Sequence, residues 1–136
     1  MDMMSEMMRS MPMTDADMGM KMDMAVMQEV IEACSAASIA ATMCADADTG
    51  ADMARCCSMC MNTADVATTM MRMMARPMGY EMTVMSTMLT ACITMGEACA
   101  AECRMHADMD EHCRICAMAC DAMVDACRRA MSTMAA

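Results

Sequence analysis

The sequence predicts an all-α protein, an antiparallel up-and-down four-helix bundle preceded by a flexible, methionine-rich extension. Apolar residues recur at helical spacing, and no stretch shows the alternation of period two that is typical of strands. Short breaks containing glycine, proline or aspartate divide the chain into four helical stretches. Short connections place consecutive helices antiparallel, and 136 residues is the size of one ordinary domain.

The predicted domain organisation is an extension over residues 1–22 and a bundle over residues 23–136. Pro12 and Gly19 make one continuous helix unfavourable in the extension. The four helices of the bundle are predicted over about residues 23–45, 51–75, 80–106 and 109–131. Asp108, followed three residues later by Glu111, has the pattern of a capping box at the start of the fourth helix.

Sulfur dominates the apolar residues of this chain. The sequence contains 31 Met and 12 Cys, but one Leu, one Tyr and neither Phe nor Trp. Methionine is flexible and specifies packing poorly, so a core selected only for stability is rich in Leu, Ile, Val and Phe. We therefore expect many of the sulfur atoms to serve as ligands.

Charge and hydropathy argue against several classes of partner. A net charge of −10 disfavours nucleic acid and anionic membrane surfaces. The longest uncharged run, residues 82–96, is shorter than a membrane span, so no transmembrane helix is predicted. Twelve cysteines favour the reducing cytoplasm, although an exported form whose signal peptide has been removed also fits the sequence.

An enzyme is the least favoured class. The sequence shows no Ser/His/Asp set, no phosphate-binding glycine loop and no paired catalytic carboxylates. The acidic residues Asp110 and Glu111 are better explained as charge at the start of a helix.

The spacing of sulfur along the fourth helix points to metal binding. Cys113, Cys116, Cys120, Met123 and Cys127 are spaced by three, four, three and four residues, which places all five on one helix stripe facing the bundle axis. Soft thiolate and thioether ligands select Cu(I), so several Cu(I) ions are the predicted cofactors. The candidate metal ligands over the whole chain are Cys34, Cys44, Cys56, Cys57, Cys60, Cys92, Cys99, Cys103, Cys113, Cys116, Cys120, Cys127, His106, His112, Met27, Met43, Met53, Met71, Met74, Met85, Met109 and Met123.

These ligands are predicted to form two zones along the bundle. At roughly 1.5 Å per residue, most cysteines lie within about 20 Å of the end that carries the first and third connections, where His106 and His112 form a mouth. Met27, Met71 and Met74 lie roughly 25–35 Å from that end. A thiol exchanges its proton for Cu(I), whereas a thioether site gains uncompensated charge. The methionine half is therefore predicted to bind Cu(I) more weakly and to exchange it faster.

Residues 99–120, from Cys99 through Cys103, His106, His112 and Cys113 to Cys120, resemble the Csp family of bacterial copper-storage proteins. The resemblance implies a four-helix bundle that stores many Cu(I) ions along its axis on inward cysteines, commonly as bridged thiolate pairs. It also implies that histidine and methionine lie near an open end where ions enter. Copper donor and acceptor proteins are the expected partners. By this resemblance, the carried-over ligands are Cys99, Cys103, Cys113, Cys116, Cys120 and Cys127, with His106 and His112 at the mouth.

The chain departs from this family in its methionine content. Met123 occupies a position where such proteins usually have cysteine, and the Met-rich extension is not part of the family's minimal pattern. The capacity and affinity of the methionine half therefore do not follow from the resemblance.

The sulfur pattern is also compatible with other structures and functions. The cysteines could be small core residues, a disulfide framework or ligands of another soft metal. The methionines could form a deformable core or an interaction surface, and the whole chain could serve as a sulfur reserve or oxidant scavenger. The sequence also leaves homo-oligomerisation open.

Overall fold

A computed structural model describes residues 2–12 and 24–135 of the chain, and every regular element in these ranges is helical. A short helix, α1, covers Met3–Arg9. The long helices are α2, Met24–Ala47; α3, Ala54–Met74; α4, Met82–Arg104; and α5, Glu111–Ala135. Single 3-10 turns, Ala51–Met53 and Pro77–Gly79, precede α3 and α4. The predicted all-α, four-helix architecture is confirmed.

The four long helices form a closed ring around one axis. Helix α2 packs against α3 and α5, and α4 packs against the same two helices. We call the end that carries the connections 48–53 and 105–110 the histidine end. The other end, with the connection 75–81, the start of α2 and the end of α5, is called the methionine end.

Side chains and turns fix where α4 and α5 begin. Glu81 caps α4, because its Oε2 accepts a hydrogen bond of 2.7 Å from the backbone N–H of Val84. Helix α5 begins two residues later than predicted, after Asp110, whose carbonyl accepts from the N–H groups of Cys113 and Arg114. Asp110, rather than Asp108, therefore occupies the position before the helix. The N–H of Asp110 donates to the carbonyl of His106 at 2.9 Å, which closes the turn that precedes the helix.

The amino-terminal extension is ordered into helix α1 over residues 3–9, where the sequence predicted flexibility. Asp2 caps this helix by accepting from Ser5 N–H at 2.8 Å, and Ser5 Oγ donates to Gln28 Oε1 of α2 at 3.0 Å. An isolated helix of seven residues is unstable in water, but Met8 is buried in the bundle core. The helix ends before Pro12, as expected, and residues 13–22 of the extension lie outside the described residues.

Two of the long helices, Met24–Ala47 and Met82–Arg104, are long and apolar enough to cross a membrane, with a mean hydropathy of 1.3 each. The sequence predicted no such helix, because its longest uncharged run is shorter than a membrane span. Each of these helices places one face in the bundle core. Core helices of bundles meet the same criteria of length and composition.

Gly96 allows α4 and α5 to approach each other closely near the middle of the bundle. A Cβ atom at this position would lie 2.6 Å from Val124 Cγ2 and 3.0 Å from Met123 Cε. Valine is stiff and buried here, so the neighbouring helix would have to shift to make room.

We expect Gly96→Ala to lower the free energy of unfolding by about 1–2 kcal/mol, because overpacking outweighs the higher helix propensity of alanine. Gly79→Ala is the matched control, since nothing lies within 4 Å of its added Cβ. Its effect should stay within about 0.5 kcal/mol. Urea denaturation of the reduced, metal-free protein measures both changes. A Gly96→Ala variant as stable as the parent would contradict the close approach.

Candidate metal centre

Eight thiols fill the bundle axis in the half nearer the histidine end. All eight side chains are completely buried, and each of the four long helices contributes at least one. No disulfide forms among the twelve cysteines, all of which lie within the described residues. We call this group the thiol cluster: Cys44, Cys56, Cys60, Cys99, Cys103, Cys113, Cys116 and Cys120.

Cys60 lies at the centre of the thiol cluster. Its Sγ is 3.8 Å from that of Cys99, 3.7 Å from that of Cys103 and 3.8 Å from that of Cys116. A metal ion about 2.3 Å from each sulfur separates two sulfurs by about 4 Å in a trigonal site. The sulfur atoms therefore already lie at the spacing that an ion bridging them requires.

His112 connects the thiol cluster to solvent. Its Nδ1 lies 3.2 Å from Cys44 Sγ and 3.5 Å from Cys113 Sγ, and its side chain is 29% exposed. His106 occupies a different position, with Nε2 3.2 Å from Glu102 Oε2. Both histidines lie at the same end of the bundle, and the structure brings His112 into direct contact with thiols.

Two buried carboxylates at this end were not among the sequence-predicted ligands. The side chain of Asp48 is fully buried, and its Oδ1 lies 4.0 Å from the Sγ atoms of Cys44 and Cys113. Its Oδ2 has no hydrogen-bond partner among the described residues, and burial raises the pKa of this carboxyl. Asp48 directly follows the last residue of α2, in a segment whose composition predicts only a turn.

Glu102 is the second carboxylate near the mouth. Its side chain is 8% exposed, and its Oε1 accepts from Arg55 Nε at 2.9 Å while its Oε2 holds His106. Nothing in the sequence distinguishes Glu102 from a surface residue, because charged residues usually lie on the solvated face of a helix.

Burial keeps most thiols of the cluster protonated in the absence of metal. Desolvation raises the pKa of Cys44 and of Cys113 to about 12. Hydrogen bonding to Cys103 is the largest cause that raises the pKa of Cys60 and of Cys116. Cys99 and Cys103 differ, because hydrogen bonds from neighbouring thiols, from Cys103 to Cys99 and from Cys116 to Cys103 above all, lower their pKa values. A metal ion entering the cluster must therefore displace protons.

A separate group of three thiols lies nearer the methionine end. Cys34, Cys92 and Cys127 come from α2, α4 and α5, and their Sγ atoms all lie within 4.8 Å of one another. Hydrogen bonds from Cys127 and Cys34 lower the pKa of Cys92 to about 4. Cys92 and Cys127 are each seven residues, or about 10 Å, from the nearest cysteine of the thiol cluster on their own helix.

Methionine surrounds the three-thiol group. Met27, Met70, Met74 and Met123 are completely buried, and Met85 is 3% exposed. These five residues, which we call the methionine cluster, share one continuous core with the three thiols. The structure thus separates a thiol-rich zone from a methionine-rich zone in the order that the sequence predicted.

The structure brings most of the candidate ligands to the bundle interior, but not all of them. Met43 is 65% exposed and Met109 is 89% exposed, so neither lines the axis. Cys57 is half-buried and donates to the carbonyl of Ala45 at 3.5 Å, outside the thiol cluster. Met71 is also half-buried. Met53 is buried beside the thiol cluster at the histidine end.

Met70 is an interior methionine that was absent from the sequence-predicted ligands. The buried residues of α3 are Cys56, Cys60, Thr63, Ala67, Met70 and Met74. Their spacing of four, three, four, three and four residues follows one helix stripe. Extending this stripe from the cysteines selects Met70 in place of Met71.

Comparison with protein-family models identifies this arrangement. Residues 20–132 match the family model described as copper storage protein. The chain belongs to the copper storage protein family. The match covers α2, α3 and α4 in full and α5 as far as residue 132. The copper-storage function predicted from the sequence is confirmed at the level of the family. No curated protein sequence matches the chain.

Solved structures of copper storage proteins from Streptomyces lividans are similar to the whole bundle. One, described as Ccsp loaded with 10 copper equivalents, is 35% identical with a TM-score of 0.89, covering 96% of this chain and 98% of that chain. Another, described as a cytosolic copper storage protein with five coppers, is 38% identical with a TM-score of 0.77 over 79% and 93% of the two chains. A third is a mutant of Ccsp with a histidine replaced by alanine, 38% identical with a TM-score of 0.79 over 82% and 97%.

Thiol burial predicts a simple order of chemical modification in the metal-free protein. The thiolate is the nucleophile, and a thiol of pKa about 12 is ionised on the order of once in ten thousand molecules at pH 8. We expect iodoacetamide to modify Cys57 first, because it is the one cysteine that is not fully buried. Peptide mass spectrometry measures the order, and Cys57→Ser should abolish the fast adduct. Equally fast modification of Cys44 or Cys113 would contradict it.

Proposed function

We propose that this chain stores several Cu(I) ions on the thiols of its bundle axis. The observation that carries the proposal is the set of completely buried thiols whose sulfur atoms lie 3.7–3.9 Å apart on facing helices. Soft thiolates select Cu(I), and this spacing suits ions that bridge two or three sulfurs. The copper-loaded structures of similar proteins support the same cargo.

Charge balance explains how so many ions can enter one apolar core. Each Cu(I) that replaces a thiol proton leaves the net charge of the interior unchanged. Burying isolated cations would be strongly unfavourable. The raised pKa values of Cys44 and Cys113 mean that these two thiols keep their protons until copper arrives.

The histidine end is the proposed route by which copper reaches the thiol cluster. His112 is partly exposed and contacts Cys44 and Cys113, so an ion bound at the imidazole is already within reach of two thiols. Asp110, which is partly exposed and lies 3.8 Å from His112, adds negative charge that attracts cations to this end. A copper donor or acceptor protein would dock here.

The methionine zone is proposed to hold copper less tightly than the thiol cluster. Its three thiols can balance the charge of bound Cu(I), whereas its thioethers cannot. The ligands proposed for this zone are Cys34, Cys92 and Cys127, with Met27, Met70, Met74, Met85 and Met123 around them.

A cytoplasmic, non-enzymatic role fits this proposal. Twelve free thiols are maintained in a reducing compartment, and one similar protein is described as cytosolic. The ordered burial of these thiols also favours storage over a sulfur reserve or oxidant scavenger, whose sulfur would be accessible.

Removing two central thiols tests the storage proposal. We expect Cys60→Ser with Cys103→Ser to lower anaerobic Cu(I) uptake by about two ions per chain, because each Cu(I) balances about one thiolate. Cys57→Ser is the matched control and should bind as many ions as the parent, since its thiol lies outside the cluster. Metal analysis after gel filtration measures the uptake. Uptake of fewer than a few ions by the parent chain would end the storage proposal.

Replacing interior thioethers tests the two zones. Met27→Leu, Met74→Leu and Met85→Leu preserve volume and apolarity, so the bundle should remain folded. We expect the tightly held copper to be unchanged and the weakly held copper to be lost, as measured by competition with a strong Cu(I) chelator. A single affinity class in the parent, unaffected by these substitutions, would contradict two zones.

A further inference from the structure

A cluster of methionines lies on the outside of the bundle where α1 docks near the methionine end. Met4, Met7, Met8, Met11 and Met71 together line a cavity of about 350 Å³ between α1, α2 and α3. Met4, Met11 and Met71 are half-buried, and Met7 is 48% exposed, so solvent reaches their side chains. None of these residues belongs to the thiol cluster or to the methionine cluster of the core.

The lining of this cavity is chemically soft. No carboxylate, imidazole or thiol lines it among the residues that the structure describes. Thioether sulfur is a poor ligand for hard cations such as Mg²⁺ or Ca²⁺, but it suits Cu(I). Several flexible methionines around one cavity can rearrange to present their sulfur atoms to a single ion.

One sulfur of this cavity lies against a hydroxyl group that is fixed to its own helix. Ser35 Oγ lies 3.0 Å from Met71 Sδ and also 2.7 Å from the carbonyl of Ile31. Met71 therefore offers a positioned thioether on the rigid bundle, whereas Met4, Met7 and Met11 come from the docked amino-terminal segment. The cavity exists because α1 packs on α2, so docking brings these sulfur atoms together.

We infer that Met4, Met7, Met11 and Met71 form a thioether site that binds one Cu(I) ion on the outer surface of the bundle. It is additional to the interior store and lies near the end opposite the histidines. Arg72, which also lines the cavity, opposes a cation, and no thiolate balances the charge. Copper bound here therefore exchanges faster than copper in the core.

Further methionine side chains lie between this site and the core. Met11 also lines a neighbouring cavity of about 630 Å³ with Met73, Met78 and Met85. Met85 in turn belongs to the same core as the three-thiol group. The surface site is thus placed to supply the methionine zone without passage through the histidine end.

Methionine methyl resonances provide the direct test, using the full chain labelled at the methionine methyl groups. The thiols are first filled with Cu(I) anaerobically, because they bind more tightly, and further Cu(I) is then added. We expect the methyl resonances of Met4, Met7, Met11 and Met71 to shift together and to saturate at about one further ion per chain. Failure of the store itself would appear earlier, as low uptake in the first step.

Matched variants complete the test. Met4→Leu, Met7→Leu and Met11→Leu together should abolish the shift of Met71 and the additional ion, while leaving thiol-bound copper unchanged. Met61→Leu, Met105→Leu and Met118→Leu remove exposed methionines elsewhere and should leave the additional ion in place. Resonances of the four proposed ligands that do not move, or that move no more than those of Met61 and Met105, would overturn the site.

Discussion

The interior of this bundle depends on the exchange of protons for a cation of the same charge. Eight thiols lie in one buried cluster, and no lysine or arginine is buried among the described residues. Ionising them together would be prohibitively unfavourable, and burial accordingly raises the pKa of Cys44 and Cys113 to about 12. Cu(I) can replace each proton without changing the net charge, so the same core accommodates an empty and a loaded state.

This constraint also explains the arrangement of polar groups along the bundle. The buried carboxylate and the imidazole that lie against the thiols, Asp48 and His112, are at the histidine end and are 3.8 Å apart. Glu102 lies at the same end, where it pairs with Arg55 and His106. The opposite half contains thioethers, which require no deprotonation and keep the core apolar. The three-thiol group of Cys34, Cys92 and Cys127 is the only part of that half, among the described residues, that can balance a bound cation with thiolates.

Much of the fold and site could be predicted from spacing alone, because a stripe of cysteines at intervals of three and four residues fixes which face of a helix points inward. The stripe on α5 was predicted correctly for this reason. Spacing could not exclude Cys57 from the axis, since adjacent residues such as Cys56 and Cys57 differ by only about 100° around a helix. Docking of α1 was also missed, because seven residues have no stable helical structure before Met8 is buried.

The buried carboxylates illustrate a second limit of sequence reasoning. Asp48 follows α2 in a segment whose composition predicts only a turn, and its burial depends on the packing of α5 against α2 through His112. Likewise, Glu102 is recognisable as a buried residue only once Arg55 and His106 are placed beside it. Long-range packing of this kind leaves no periodic signal in a single sequence.

Diffraction from crystals of the Cu(I)-loaded protein, recorded on both sides of the copper absorption edge, tests the central claim most directly. We predict anomalous density along the bundle axis, strongest between the sulfur atoms of Cys60, Cys99, Cys103 and Cys116. Copper bound chiefly at exposed residues, with no anomalous density among these four thiols, would contradict it.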